Sequence, residues 1–73
     1  MSKHIIKERN RGDWDIMIED LIIGYIQEVN EHGIRFYRGI FIDRNKKQYI
    51  SDIFPTHSES VDYVVNLHKH YQL

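Results

Sequence analysis

Five histidines, eleven carboxylates and ten Lys or Arg side chains are the groups in this chain that could do chemistry. Metal binding is the first candidate. His68 and His70 are two residues apart, so on a helix they point about 200° apart and cannot share an ion. His57 stands more than two turns earlier, and His4 and His32 fall in other segments. No pair has the i, i+4 spacing of a helical zinc site. Solvated or half-buried histidines are expected, and neither a metal nor a cofactor is called for.

Acid–base catalysis would need paired carboxylates whose environments push their pKa values apart. The closest pairs, Asp13/Asp15 and Glu19/Asp20, fall where a strand and a turn are expected. Ser58, Ser60 and Thr56 lie near His57, but helix capping accounts for Thr56 and nothing activates a serine. Gly12, Gly24, Gly33 and Gly39 stand apart, so there is no phosphate-cradling loop. A non-enzymatic chain is expected, with no catalytic residues.

Binding chemistry is better represented. Arg35, Tyr37, Arg38, Arg44, Lys46 and Lys47 cluster on one strand–turn–strand segment. Such groups neutralise phosphates, and the interleaved Tyr37, Phe41 or Tyr49 could stack on bases. The contrasting feature is acidic. Asp13, Asp15, Glu19, Asp20, Glu28 and Glu31 leave residues 13–31 at −6 with no basic group among them. Residues 1–12 carry Lys3, Lys7, Arg9 and Arg11 against Glu8, a balance of +3. Residues 34–52 are also at +3, and the whole chain is at −1. Near-neutrality argues against non-specific nucleic-acid binding, while the blocks allow one acidic and one basic face. Acid beside Trp14 and Tyr25 suits a protein–protein surface, where such aromatics act as anchors.

The elements that would position these groups are those of one small domain, since 73 residues leave no room for a second. Ile34 to Asp43 alternates as a strand, Arg44 to Lys47 is a turn, and Gln48 to Phe54 returns. On the first strand Ile34, Phe36, Ile40 and Ile42 share one face and Arg35, Tyr37, Gly39 and Phe41 the other. On the second, Tyr49, Ser51 and Ile53 lie opposite Ile50, Asp52 and Phe54. Pro55 ends the sheet. Thr56 and Glu59 have capping-box spacing, with each side chain expected to satisfy an orphan backbone N–H. The helix from Thr56 to Tyr71 would present Val61, Val64, Val65, Leu67, His68 and Tyr71 to the sheet.

Residues 14–29 fit two periods. As a helix, Trp14, Ile18, Leu21, Ile22, Tyr25, Ile26 and Val29 share an arc, and the fold becomes α-β-β-α. As strands, Trp14, Ile16 and Ile18 alternate, Glu19-Asp20 breaks the run, and Ile22 to Val29 follows before a four-residue loop at 30–33. The strand reading is preferred, because the residues are β-branched and aromatic and Gly24 weakens a helix. Residues 1–12 are an edge strand or a flexible arm.

The segment 34–65 resembles the arm-DNA-binding N-terminal domain of tyrosine integrases. The shared features are a hairpin with a basic turn and an aromatic-x-Thr-x-x-Glu junction, here Phe54-Pro55-Thr56-His57-Ser58-Glu59. The resemblance covers about half the chain. It implies a sheet face that enters the DNA major groove, with Arg35, Tyr37, Arg38 and Lys47 at the contact. Ser60 stands where that family has a small apolar residue.

The expectation is thus an α+β domain: an antiparallel β-meander of three to five strands with one C-terminal helix packed on the sheet. The leading function is that of a small interaction protein that binds and modulates a partner protein. Trp14, Tyr25, Tyr37 and Phe41 are its anchors, and Asp13, Asp15, Glu19 and Asp20 its charged rim. The alternative is DNA binding through the Arg35–Lys47 hairpin. Homodimerisation is expected, because a two-faced sheet leaves apolar surface to cover. Twelve Ile and no Ala point to an AT-rich genome, such as that of a low-GC bacterium, its phage or another mobile element. The absence of Cys suits a reducing cytoplasm. No apolar run nears the roughly 18 residues that would span a bilayer, and the first residues lack the apolar core of a signal peptide.

Overall fold

Every strand of this protein pairs with its neighbour in sequence, as short loops and alternating apolar residues dictate. The computed structural model describes residues 4–71. It contains β1 (His4–Asn10), β2 (Asp13–Ile18), β3 (Leu21–Glu31), β4 (Ile34–Ile42), β5 (Gln48–Phe54) and α1 (His57–Tyr71). The strands form one antiparallel sheet in the order β1-β2-β3-β4-β5, with α1 lying against β3, β4 and β5. The fold is α+β. Residues 14–29 are strands, and the segment before Arg11 is an edge strand from His4 onward; residues 1–3 lie outside the described residues.

The helix lies on one face because two glycines let it approach. A Cβ on Gly39 would stand 2.7 Å from the Ser60 carbonyl oxygen and 3.1 Å from the Tyr63 ring. One on Gly24 would collide with the Ile40 carbonyl oxygen and with Val64 Cγ1. Glycine in a strand often marks such a close backbone approach. Ser60 is the matching small residue on the helix. It is fully buried, and its hydroxyl donates to the His57 carbonyl at 2.6 Å. The sequence pattern placed Val61, Val64 and Val65 toward the sheet and omitted Ser60; the helix is turned so that Ser60, Val61 and Val64 are its buried residues. Ile16, Ile23, Ile26 and Phe41 complete the core.

Three bulges interrupt the alternation. Arg9 is the extra residue on β1, and Ile23 is the extra residue on β3 opposite Ile16 and Met17. Ser51 and Asp52 together oppose Gly39. The Gly39 N–H there donates to Ser51 Oγ at 2.9 Å. This last bulge corrects the expected facing of β5. Tyr49 and Phe54 share the helix side, being paired with Phe41 and Tyr37, while Ile50 and Ile53 are paired with Ile40 and Arg38 on the other side.

Two local expectations change. The β3–β4 loop is a two-residue turn, His32-Gly33, with φ of 53° and 79°, the positive values that match strand twist in a tight hairpin. At the helix start, Thr56 Oγ1 accepts the Glu59 N–H at 3.2 Å and donates to the Glu59 carboxylate at 2.8 Å. The carboxylate therefore orients the capping hydroxyl.

Candidate protein-binding face

The face of the sheet away from α1 is the largest feature that packing leaves unexplained. Alternation from Gly39 and Phe41, which face the helix, puts Ile40 on the opposite side. Its row across the sheet is Lys7, Asp15, Tyr25, Ile40 and Ile50. The next row contains Asp13, Gln27, Arg38 and Ile53. No described element covers this face. Its rim is apolar and open, with Ile50 61% and Ile5 58% exposed. Its centre is not: Ile40 is 2% exposed. Bulges strengthen twist and bend a sheet, and one lies beside Ile40, between it and Arg38 on β4.

Charges sit in this apolar surface. The Arg9 guanidinium lies 5.3 Å above the Tyr25 ring, and its Nε is 3.5 Å from Asp15 Oδ1. That distance makes an ion pair but not a well-formed hydrogen bond. Asp15 Oδ1 is buried and has no hydrogen-bond partner among the described residues, and the same holds for Arg38 Nε. Buried polar atoms nearly always have a partner, so each of these marks a group that the monomer leaves unfinished.

On the helix side, Trp14, Tyr37 and His57 form an aromatic cluster. The His57 ring meets Trp14 edge-on at 4.7 Å and Tyr37 at 5.4 Å, and the Trp14 and Tyr37 rings are 6.1 Å apart. Burial lowers the His57 pKa, which favours the neutral imidazole. This is a packing cluster that seats the start of α1 on β2 and β4.

The expected site residues therefore divide. Tyr25, Asp13 and Asp15 lie on the open face, half-buried, while Trp14 and Tyr37 are half-buried on the helix side. Phe41 is 2% exposed and stacks on Tyr71, so it belongs to the core and is no anchor. Glu19 and Asp20 form the exposed β2–β3 turn. The basic set does not make one surface. Arg35 points to the helix side and pairs with Glu28 at 3.4 Å, Arg38 points to the open face, and Arg44, Lys46 and Lys47 sit at the far end of the hairpin. The charge blocks of the sequence fold onto neighbouring strands and partly neutralise each other, through Arg9–Asp15 and Arg35–Glu28. The sequence shows Arg9 only as one of four basic groups in residues 1–12, and nothing in its spacing marks it as the partner of Tyr25 and Asp15.

A separate cleft opens at the end of the sheet beside the C-terminal turns of α1, with a volume of about 510 Å³. The 43–46 turn forms one wall. Asp43 accepts the N–H groups of Asn45 at 2.8 Å and Lys47 at 3.0 Å, and the Tyr49 hydroxyl at 3.1 Å. Desolvation opposes its charge, but these donors and the Lys47 charge hold its carboxyl below the usual range. The Tyr71 hydroxyl, burial and Asp43 together push Tyr49 up to about 12. Among the described residues, no three His, Asp or Glu side chains gather to hold a metal ion, and no helix is long and apolar enough to cross a membrane. Comparison with known protein families, characterised proteins and solved structures found no match.

Proposed function

We propose that this chain is a non-enzymatic interaction protein that grips another polypeptide with the open face of its sheet. The observation that carries this reading is a pair of buried side-chain atoms, Arg38 Nε and Asp15 Oδ1, that make no hydrogen bond among the described residues, Asp15 having only the 3.5 Å ion pair to Arg9, on an uncovered face with exposed Ile5 and Ile50. A partner for this face supplies apolar side chains for Ile5, Tyr25 and Ile50, a carboxylate for Arg38 and a hydrogen-bond donor for Asp15, which Arg9 meets only as a 3.5 Å ion pair. A chain of this kind modulates its partner by occupying surface, with no chemistry of its own.

A second copy meets these requirements. Asp15 and Arg38 lie on β2 and β4, on opposite sides of β3. A two-fold axis lying between two copies above β3 sets Arg38 of each against Asp15 of the other, the reciprocal contact of an isologous interface. A homodimer is thus the form we assign to the chain, and a heterologous partner competes for the same face. DNA binding has less support, because the basic residues are spread over both faces and the far turn.

Sedimentation velocity of the wild type and of Ile50→Asp tests the reading, alongside a mobility shift with duplex DNA at low salt. Concentration-dependent association that Ile50→Asp abolishes is the expected result. A monomeric protein that retards DNA overturns it.

A further inference from the structure

We propose that the cleft between the start of β3, the 43–46 turn and the end of α1 binds a small amphipathic carboxylate, an apolar body ending in one anionic group. This inference does not rest on the open face. The cleft exists because β3 and β4 pair only from Gly24 and Phe41 onward, so Leu21 to Ile23 and the 43–46 turn diverge above that rung. Its volume of about 510 Å³ falls in the range of small-molecule sites, roughly 300–1,000 Å³.

The lining states the chemistry. Leu21, Ile23, Phe41 and Tyr71 supply apolar walls, and Arg44 and Lys46 stand at the rim. Asp43 also lines the cleft and has both oxygens engaged by its own turn and by Tyr49, so among the described lining residues the two cations outnumber one carboxylate whose oxygens are already bonded. His68 also lines the cleft, and its Nε2 is buried with no hydrogen-bond partner among the described residues. A neutral imidazole can present an N–H there, a donor suited to one carboxylate oxygen. A cationic ligand would meet Arg44 and Lys46, and a wholly apolar one would leave His68 unpaired. The cleft lies at the C-terminal end of α1, where the helix dipole disfavours concentrated negative charge. The dipole opposes a carboxylate as well as a phosphate, but a dianion more, so Arg44 and Lys46 must outweigh it for a monoanion to bind.

Lys46 carries a further mark. It holds φ at 69°, a left-handed conformation that costs a non-glycine residue roughly 1–2 kcal/mol. Glu19 and His32 share such a conformation, and glycine would relieve the strain at any of the three. Lys46→Gly is a clean variant: it removes the charge and suits the backbone.

The test is an NMR titration of the full chain with decanoate, with decanol as the uncharged control, on wild type, Lys46→Gly and Arg44→Gln. Saturable decanoate shifts at Ile23, Phe41 and the His68 ring are expected, with the His68 pKa rising on binding. Decanol and each variant should bind about tenfold more weakly, the loss of one charge-assisted contact. Decanol matching decanoate, variants binding as tightly as wild type, shifts confined to the open face around Ile50, or no saturable shift each overturns the proposal.

Discussion

Asp15 and Arg38 face the same side of the sheet from β2 and β4, with β3 between them, and each has a buried side-chain atom that no described residue hydrogen-bonds. A buried polar atom without a partner costs about 1–3 kcal/mol. Two such costs on an uncovered face of mixed apolar and charged side chains are offset most simply when another molecule completes them. Arg38→Met should therefore raise the unfolding free energy of the dilute monomer by about 1 kcal/mol, measured by urea denaturation, while weakening association.

The approach of helix to sheet depends on the missing side chains of Gly24 and Gly39. Gly39→Ala and Gly24→Ala should each cost about 1–3 kcal/mol through overpacking, read from urea midpoints. Gly24→Ala should cost more, because its Cβ meets a backbone carbonyl of the adjacent strand as well as Val64. Equal stability of Gly24→Ala and wild type would mean that the helix does not sit where it is described.

Much of this architecture is legible in the sequence, and the failures share a cause. β4, β5 and α1 follow from alternation, a basic turn, Pro55 and the Thr56 cap. Residues 14–29 were ambiguous because their apolar positions fit both periods; Ile16 and Ile23, which a helical arc leaves exposed, are buried at 0% and 1%. Bulges explain the misassigned Ile53, since one extra residue reverses the alternation and leaves no compositional trace. Phe41 reads as an anchor in the sequence because alternation groups residues into faces without saying which face the helix covers. The signal that settles it was present: Gly24 and Gly39 lie inside strands, and each marks a close approach.

Thr56 caps α1 through its hydroxyl, oriented by Glu59. Thr56→Ala should lower stability by about 1 kcal/mol, with a matching loss of helical circular dichroism on heating. Glu59→Gln should cost less, because an amide oxygen can still accept the hydroxyl.

Stability should fall in weak acid. Burial lowers the pKa of His57 and of His68 below the ordinary 6.5, so the unfolded chain binds protons that the folded chain refuses. Stability is then full above pH 6.5 and declines as the pH drops from there through the folded pKa values. Asp43, held below its ordinary value, adds a loss only as the pH falls through the carboxylate range. Thermal midpoints flat above neutrality and falling below pH 6.5 are expected, with a shallower fall in His57→Phe. A midpoint that rises between neutrality and weak acid would contradict this.

The central claim is that the open face takes a second copy through reciprocal Asp15–Arg38 contacts, and a mixing experiment by sedimentation equilibrium tests it most directly. Arg38→Asp leaves two carboxylates at the paired positions and Asp15→Arg two guanidinium groups, so each variant alone should be monomeric where wild type dimerises. Mixed in equal amounts, they restore both opposite-charge contacts and should form a heterodimer. Variants that dimerise alone like wild type, or that stay monomeric when mixed, contradict the claim.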